Sequence, residues 1–341
     1  MTQIATSRDA DPALAARVRR ALGAPGAGPL TVLEGGRSGL TYVISDGATR
    51  RVVKAVPPGS RAVGRNDVLR QSHILSALTG SDVPVPGVIA RETEEPAWFA
   101  MEFAEGAALE PVLEPVPVAA AHQRMLAAAA VLGRLHAVPL AQLAERLRAV
   151  GGALPAAADP AGELERWTRT MHAVPEELRP GSADLLAALA ARVPPPVAPV
   201  LVHGDFRLGN LMFAGETPTA LVDWEIWGVG DPRVDLGWFG VFTDGDLFPG
   251  IGRAVPGLPS EDELGAAYRE SGGSSTGGDS AVGDSAVGDT AWFRALGRMK
   301  MAAIMGHNLR RHREGRHHDP VQEQLPPTIA ALIASGREVA G

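Results

Sequence analysis

The chain reads as an α+β fold in two lobes: a small N-terminal lobe with an antiparallel sheet and one helix, and a larger, mainly helical C-terminal lobe. Three observations predict this. Short runs rich in Val, Ile, Thr and Tyr, punctuated by turn residues, crowd the first hundred positions. Long segments of helical periodicity fill most of the remainder. Two short apolar runs, Val200-Leu201-Val202 and Ala220-Leu221-Val222, end directly on acidic motifs inside the helical part. The lobes are expected at 1–104 and 105–341, with Glu105-Gly106 as the crossing.

In the first lobe, Asp11 is placed to cap a helix at Pro12–Leu22, with Pro at its first position. Leu30–Glu34, Leu40–Ser45 and Arg51–Val56 read as three antiparallel strands, the last two joined by Asp46-Gly47, a strong hairpin signal. A helix is predicted over Asn66–Leu78, stopped by Thr79-Gly80-Ser81, and strands at Gly87–Arg91 and Trp98–Phe103. Helices are expected at Val118–His136, Ala161–His172, Ser182–Arg192, Ser260–Ser271, Ala291–His312 and Pro327–Glu338. Ser260 with Glu263 forms a capping box. Residues 272–290 are of low complexity, with the unit Ser-Ala-Val-Gly-Asp repeated at Ser280–Asp284 and Ser285–Asp289, and read as a flexible loop.

Composition narrows the function. Hydrophobic residues make up 45% of 341, enough for a sizeable core. A formal net charge of −7 argues against a nucleic-acid partner, which needs a basic surface. The absence of cysteine excludes disulfides, thiolate metal sites and a cysteine nucleophile. Met1–Leu22 carries Arg8, Asp9, Asp11, Arg17, Arg19 and Arg20, so a signal peptide is not expected there. No uncharged apolar run reaches the length of a membrane span. The expectation is a cytoplasmic protein without membrane partners; the sequence indicates no oligomeric state.

The strongest chemical signal is Leu201-Val202-His203-Gly204-Asp205-Phe206-Arg207-Leu208-Gly209-Asn210. An apolar strand delivers a carboxylate, and an amide follows five residues later. Thirteen residues beyond Asn210, a second apolar strand ends on Asp223-Trp224-Glu225. Phosphoryl transfer from ATP requires such a set: a carboxylate against the acceptor hydroxyl, and an amide oxygen with a second carboxylate to hold Mg²⁺ against the phosphates. Protein kinases use His-x-Asp, an Asn five residues after that Asp, and a separate metal-binding Asp. A lone His-Gly-Asp is ordinarily a turn; the offsets to Asn210 and Asp223 make the catalytic reading the stronger one. Gly35-Gly36-Arg37-Ser38-Gly39 lies between two strands. Its amides are placed to meet phosphate oxygens, yet it lacks the full Gly-x-Gly-x-x-Gly spacing, and hairpin glycines also serve positive φ alone.

The chain resembles the aminoglycoside phosphotransferase family, in its broad bacterial small-molecule branch. The resemblance is carried by His203 to Asn210, Asp223-Trp224-Glu225, Gly230-Asp231-Pro232 leading to Asp235-Leu236, and by Gly35-Gly36-Arg37-Ser38, Lys54, Met101-Glu102 and Leu135-His136. It implies a bilobal, protein-kinase-like fold, with ATP and Mg²⁺ as cofactors and a hydroxyl of a small antibiotic or metabolite as acceptor. It implies Asp205 as catalytic base and Asn210 and Asp223 as Mg²⁺ ligands. Lys54 would hold the α- and β-phosphates beside Gly35, Gly36, Arg37 and Ser38, and Met101, Glu102 and Phe103 would face the adenine. A free aspartate titrates near pH 4, so Asp205 is expected chiefly to aim the hydroxyl and take its proton late. His203 is expected to brace the loop, and Asp235 to tie loop amides.

One departure stands out. The family places a glutamate on the helix after the lysine, and the matching residue here is Gln71, which can accept a hydrogen bond from Lys54 but brings no charge. Asp67, one turn earlier, is a candidate substitute. The glutamine keeps a nucleotide-binding pseudokinase as the alternative. A third reading, a metal-dependent phosphatase using His203, Asp205 and His307, leaves Lys54 and the glycine turn without a purpose. Trp224, Trp227, Trp238 and Trp292 are expected mainly as core, and Glu225, Asp244 and Asp246 are acidic by position only.

Overall fold

The computed structural model describes residues 10–33, 40–47, 49–57, 59–64, 67–274, 287–316 and 319–341. The glycine turn Gly35–Gly39 and most of the low-complexity stretch, residues 275–286, lie outside the described residues. In chain order the elements are α1 (Pro12–Ala21), β1 (Thr31–Val32), β2 (Leu40–Ser45), β3 (Arg50–Ala55), α2 (Val68–Leu78), β4 (Val88–Glu92) and β5 (Trp98–Glu102). Then follow α3 (Val118–His136), α4 (Leu140–Ala149), β6 (Ala157–Ala158), α5 (Pro160–His172), α6 (Ser182–Ala191), β7 (Val200–Val202), β8 (Leu211–Ala214), β9 (Thr217–Leu221) and β10 (Gly228–Gly230). The chain ends through α7 (Arg233–Gly240), α8 (Glu261–Glu270), α9 (Val287–Arg313) and α10 (Pro326–Ala340). It divides into two compact units: Met1–Glu105 with Ala141–Leu154 and Thr219–Ile226, and Gly106–Leu140 with Pro155–Pro218 and Trp227–Gly341.

The first unit is built on an antiparallel sheet of order β1-β2-β3-β5-β4. Alternation along a strand sends successive side chains to opposite faces. Val53 and Ala55 of β3, with Trp98 and Ala100 of β5, share a core with Leu14, Ala15 and Val18 of α1. Val52 and Lys54 therefore lie on the opposite face, opposite Met101 and Phe99 in register. The Asp11 side chain accepts the Ala13 amide at 2.9 Å to open α1, and Asp67 accepts the Arg70 amide at 2.9 Å to open α2. Two later segments complete the unit. Arg146 of α4 donates to the Ala77 carbonyl (3.3 Å), and the Leu221 amide donates to the Pro84 carbonyl (2.7 Å).

The second unit is mostly helical. The 27-residue α9 packs against α5, α6, α7 and α10 over a core that includes Trp167, Trp238, Phe242, Trp292, Phe293 and Met299. Glycines allow two of its crossings. A Cβ on Gly237 of α7 would run into the Phe293 carbonyl of α9, and one on Gly133 of α3 would run into the Tyr268 carbonyl of α8. A small sheet of order β6-β10-β7 sits in this unit, with β10 parallel to β6 and antiparallel to β7.

Several elements differ from the sequence reading. The helix expected from Ala291 begins at Val287. Helices α4 and α7 were not anticipated: α4 buries only Leu143 and Leu147, and α7 hides its period behind Gly237 and Gly240. Strand β10 was missed for the same reason, being Gly-Val-Gly. Among the described residues, no single helix is long and apolar enough to cross a membrane.

Candidate active site

In the second unit, β7 runs out at Val202 and the chain turns sharply through Gly204, whose φ of 81° suits glycine. Asp205 follows, held from two sides. The Asn210 amide group donates to the Asp205 carboxylate Oδ2 and to its backbone carbonyl, both at 2.8 Å. The Trp238 indole N–H of α7 donates to Oδ1 at 2.9 Å. With both amide hydrogens of Asn210 spent on Asp205, its Oδ1 is the side-chain oxygen left to bind a ligand.

The loop is anchored from below by Asp235, fully buried, which accepts the amides of His203 (2.7 Å) and Gly204 (2.8 Å). His136 of α3 sits 3.3 Å from the same carboxylate and bonds the Tyr268 hydroxyl through its other ring nitrogen at 2.8 Å. The α3–α8 approach at Gly133 makes this pairing possible. Burial alone would raise the Asp235 pKa; the hydrogen bond and charge of His136, with His203, outweigh it and hold the carboxyl below its ordinary range. Buried His203 accepts the Asp205 amide at Nδ1 (3.2 Å), so that nitrogen carries no proton.

Arg207 lies between two carboxylates, 3.7 Å from Asp205 and 3.6 Å from Glu110. Its guanidinium passes so close over Gly209 that a Cβ there would collide with it. Glu110 accepts the Gly209 amide at 3.1 Å, while its other oxygen, Oε1, is buried without a partner among the described residues. Burial pushes its pKa up to about 7, against the pull of Arg207. From α9, buried Lys300 donates to the Gly204 carbonyl and lies 3.8 Å over the Trp238 ring.

In the first unit, Lys54 Nζ is 3.1 Å from Asp223 Oδ1, 3.8 Å from Glu225 Oε1, and donates to Gln71 Oε1 at 3.1 Å. The two carboxylates come from a segment some 169 residues further along the chain. Trp224 fastens that segment through its indole N–H to the Leu221 carbonyl (2.9 Å). Asp223 takes a left-handed φ of 66°, a conformation that costs a non-glycine residue about 1–3 kcal/mol and recurs at functional sites. Its side chain remains 38% exposed. The suggestion that Asp67 replaces the missing glutamate is corrected: its carboxylate caps α2, and Lys54 is met by Gln71, Asp223 and Glu225 instead. Met101 is buried in β5; Glu102 accepts the Gly87 amide at 3.1 Å; Phe103 is covered by the Arg50 guanidinium, 3.8 Å from its ring centre.

Residues 29–264 match the phosphotransferase enzyme family, more than half of the chain and all of the sites above except Tyr268 and Lys300. The chain belongs to this family. Its solved neighbours share the fold. A candidate aminoglycoside phosphotransferase of Ralstonia eutropha JMP134 superposes with a TM-score of 0.72 at 24% identity, over 98% of both chains. A thermostable aminoglycoside phosphotransferase in ternary complex with ADP and hygromycin B gives 0.55 at 16%, over 95% of this chain and 99% of that one. The choline kinase of Streptococcus pneumoniae gives 0.58 at 12%, over 94% and 98%. The α+β kinase-like fold read from the sequence is thus the fold observed. Among curated relatives, acyl-CoA dehydrogenase family member 10 of Mus musculus is 29% identical over 230 residues, 64% of this chain. The chain spans about a fifth of that protein's length, 21%.

Within this phosphotransferase-family chain, sequence reasoning missed Glu110 and Lys300, took Trp238 as core without its bond to Asp205, and named Glu225 by position without its approach to Lys54. Lys300 alone carried a usable signal: a single charge in Met299-Lys300-Met301-Ala302-Ala303, a run with no other reason to be charged. Glu110 stands among Leu, Pro and Val with no periodicity to mark it.

Proposed function

We propose that this chain is an ATP-dependent phosphotransferase that moves the γ-phosphate to a hydroxyl group of a small molecule. The observation that carries this reading is the held Asp205: each carboxylate oxygen accepts one side-chain hydrogen bond, from Asn210 and from Trp238, and keeps a lone pair for an incoming hydroxyl. A carboxylate fixed this way aims its acceptor and receives the proton late in a loose transition state.

In this reading residues 1–104, with Asp223 returning beside Lys54, take the nucleotide, and the acceptor is taken by the remainder of 105–341. Lys54 binds the α- and β-phosphates, Gly35, Gly36, Arg37 and Ser38 cover them, and Met101, Glu102 and Phe103 face the adenine. Asn210 Oδ1 and the Asp223 carboxylate are hard oxygen donors, the kind Mg²⁺ takes together with phosphates and water. Bound there, Mg²⁺ supplies charge neutralisation on the phosphates. His203 and Asp235 brace the loop. Gln71 steadies Lys54 by its hydrogen bond, with the negative charge contributed by Asp223 and Glu225. Antibiotics and metabolites with free hydroxyls are the substrate classes to test.

The test is ATP consumption with Mg²⁺ across aminoglycosides, macrolides, amino alcohols and sugars, with Asp205→Ala as the blank. Turnover with one acceptor class, abolished in the variant, supports the proposal. Nucleotide binding without turnover for any acceptor would favour the pseudokinase alternative that Gln71 raises. Phosphomonoester hydrolysis without ATP would favour the phosphatase; among the described residues, no three His, Asp or Glu side chains converge as a metal cluster to support it.

A further inference from the structure

Lys300 has no part in the roles assigned above, lies beyond the stretch that matches the family, and is 3% exposed. An ammonium buried in a helical core costs free energy unless it is engaged. The volume between Met299 and Met301 would be filled as well by another methionine, without that cost. Its two nearest contacts lead to one place. The ammonium donates to the carbonyl of Gly204, the residue before Asp205. It lies over the ring of Trp238, 3.8 Å from the centroid, and 5.0 Å from that of Trp167. Trp238 in turn gives its N–H to Asp205.

We propose that Lys300 is a positioning residue for Asp205, acting through the Gly204 carbonyl and through the indole of Trp238. A cation over the ring draws electron density from the indole and strengthens its N–H as a donor to the carboxylate. The bond to Gly204 fixes the peptide from which Asp205 projects. The proposal rests on the phosphotransferase reading for its kinetic part alone; the contact itself is testable without substrate.

The charged groups that face Lys300 are Asp205 from the loop after β7, Asp235 from α7, and Glu163 and Arg166 from α5. Burial pushes its pKa down to about 8, with Asp205, Asp235 and Glu163 acting the other way. The charged form therefore prevails below that pH and is lost as pH rises through it.

The experiment combines kinetics and NMR on the full chain. In Lys300→Met, kcat is expected to fall about ten- to a hundred-fold with KM for ATP changed less than about two-fold. Wild-type kcat is expected to fall along an alkaline limb near pH 8; Lys300→Arg, which keeps the cation, is expected to recover most of kcat and to lack that limb. Independently, the Trp238 indole ¹⁵N–H resonance, identified by its loss in Trp238→Phe, is expected to titrate between pH 7 and 9 in wild type and not in Lys300→Met. A folded Lys300→Met with kcat within two-fold of wild type overturns the proposal, as does an indole resonance that does not move over that range in wild type. Absence of ATP turnover by wild type would remove the functional reading while the indole titration still decides the contact.

Discussion

Trp238 donates its indole N–H to Asp205 at 2.9 Å, linking a core helix to the residue expected to meet the acceptor. The ring is 2% exposed and packs edge-on against Phe242 at 5.5 Å, so the donor is set by core packing. Trp238→Phe keeps an aromatic ring in the core and deletes the N–H together with the pyrrole ring that carries it. A hydrogen bond to a charged group is worth about 1.5–3 kcal/mol. The expected result is a loss of about ten-fold or more in kcat, with an unfolding transition still cooperative. Steady-state kinetics and thermal melts check both.

Lys54 faces a glutamine and two carboxylates, which makes an added charge at position 71 unhelpful. Gln71 is 3% exposed, and a third carboxylate there would be buried beside Asp223 and Glu225. Gln71→Glu is expected to lower Tm and to leave KM for ATP no better than wild type; Lys54→Met is expected to raise that KM at least about ten-fold. Nucleotide titrations and melts distinguish them.

Asp67 has a different task from Gln71. Asp67→Ala removes the cap of α2 and is expected to cost about 1 kcal/mol of stability. KM for ATP should stay near the wild-type value, because Lys54 does not depend on this carboxylate. Denaturant unfolding alongside nucleotide kinetics measures the two effects.

Glu110 gives a pH signature. Its folded pKa, raised by burial to about 7 from the ordinary 4.5, means that the fold prefers the protonated acid. Its contribution to stability is full below pH 4.5 and is lost as pH rises toward 7. Glu110→Gln removes that titration. The stability of wild type relative to this variant should therefore fall across that window and level off above it, as followed by melts in a pH series.

The crossing of α7 and α9 predicts a steric effect. A Cβ at Gly237 has no room against the Phe293 carbonyl, which is backbone and cannot swing aside. Gly237→Ala is expected to destabilise by about 1–3 kcal/mol. Because α7 carries both Trp238 and Asp235, kcat is expected to fall with it, read in the same melts and assays.

Much of this protein was determined by local sequence. Asp11 and the Ser260–Glu263 box mark helix starts because a cap needs only its own first turn. Asp46-Gly47 closes the β2–β3 hairpin, and Val-Leu-Val leads into His203-Gly204-Asp205 as a strand leads into a turn. The fold class and the motif residues were legible for that reason: each depends on period, cap or spacing within a short window. Helices α4 and α7 were not legible, since two apolar residues or two glycines leave no period to read.

What only the tertiary structure decided is who stands beside whom. That Lys54 meets Asp223, that Trp238 and Lys300 converge on the Asp205 loop from α7 and α9, and that Glu110 is buried against Gly209 are contacts between segments far apart in the chain. Such neighbours are chosen by helix crossings and strand register, which sum many weak packing terms over the whole core, and no short stretch of sequence carries that sum.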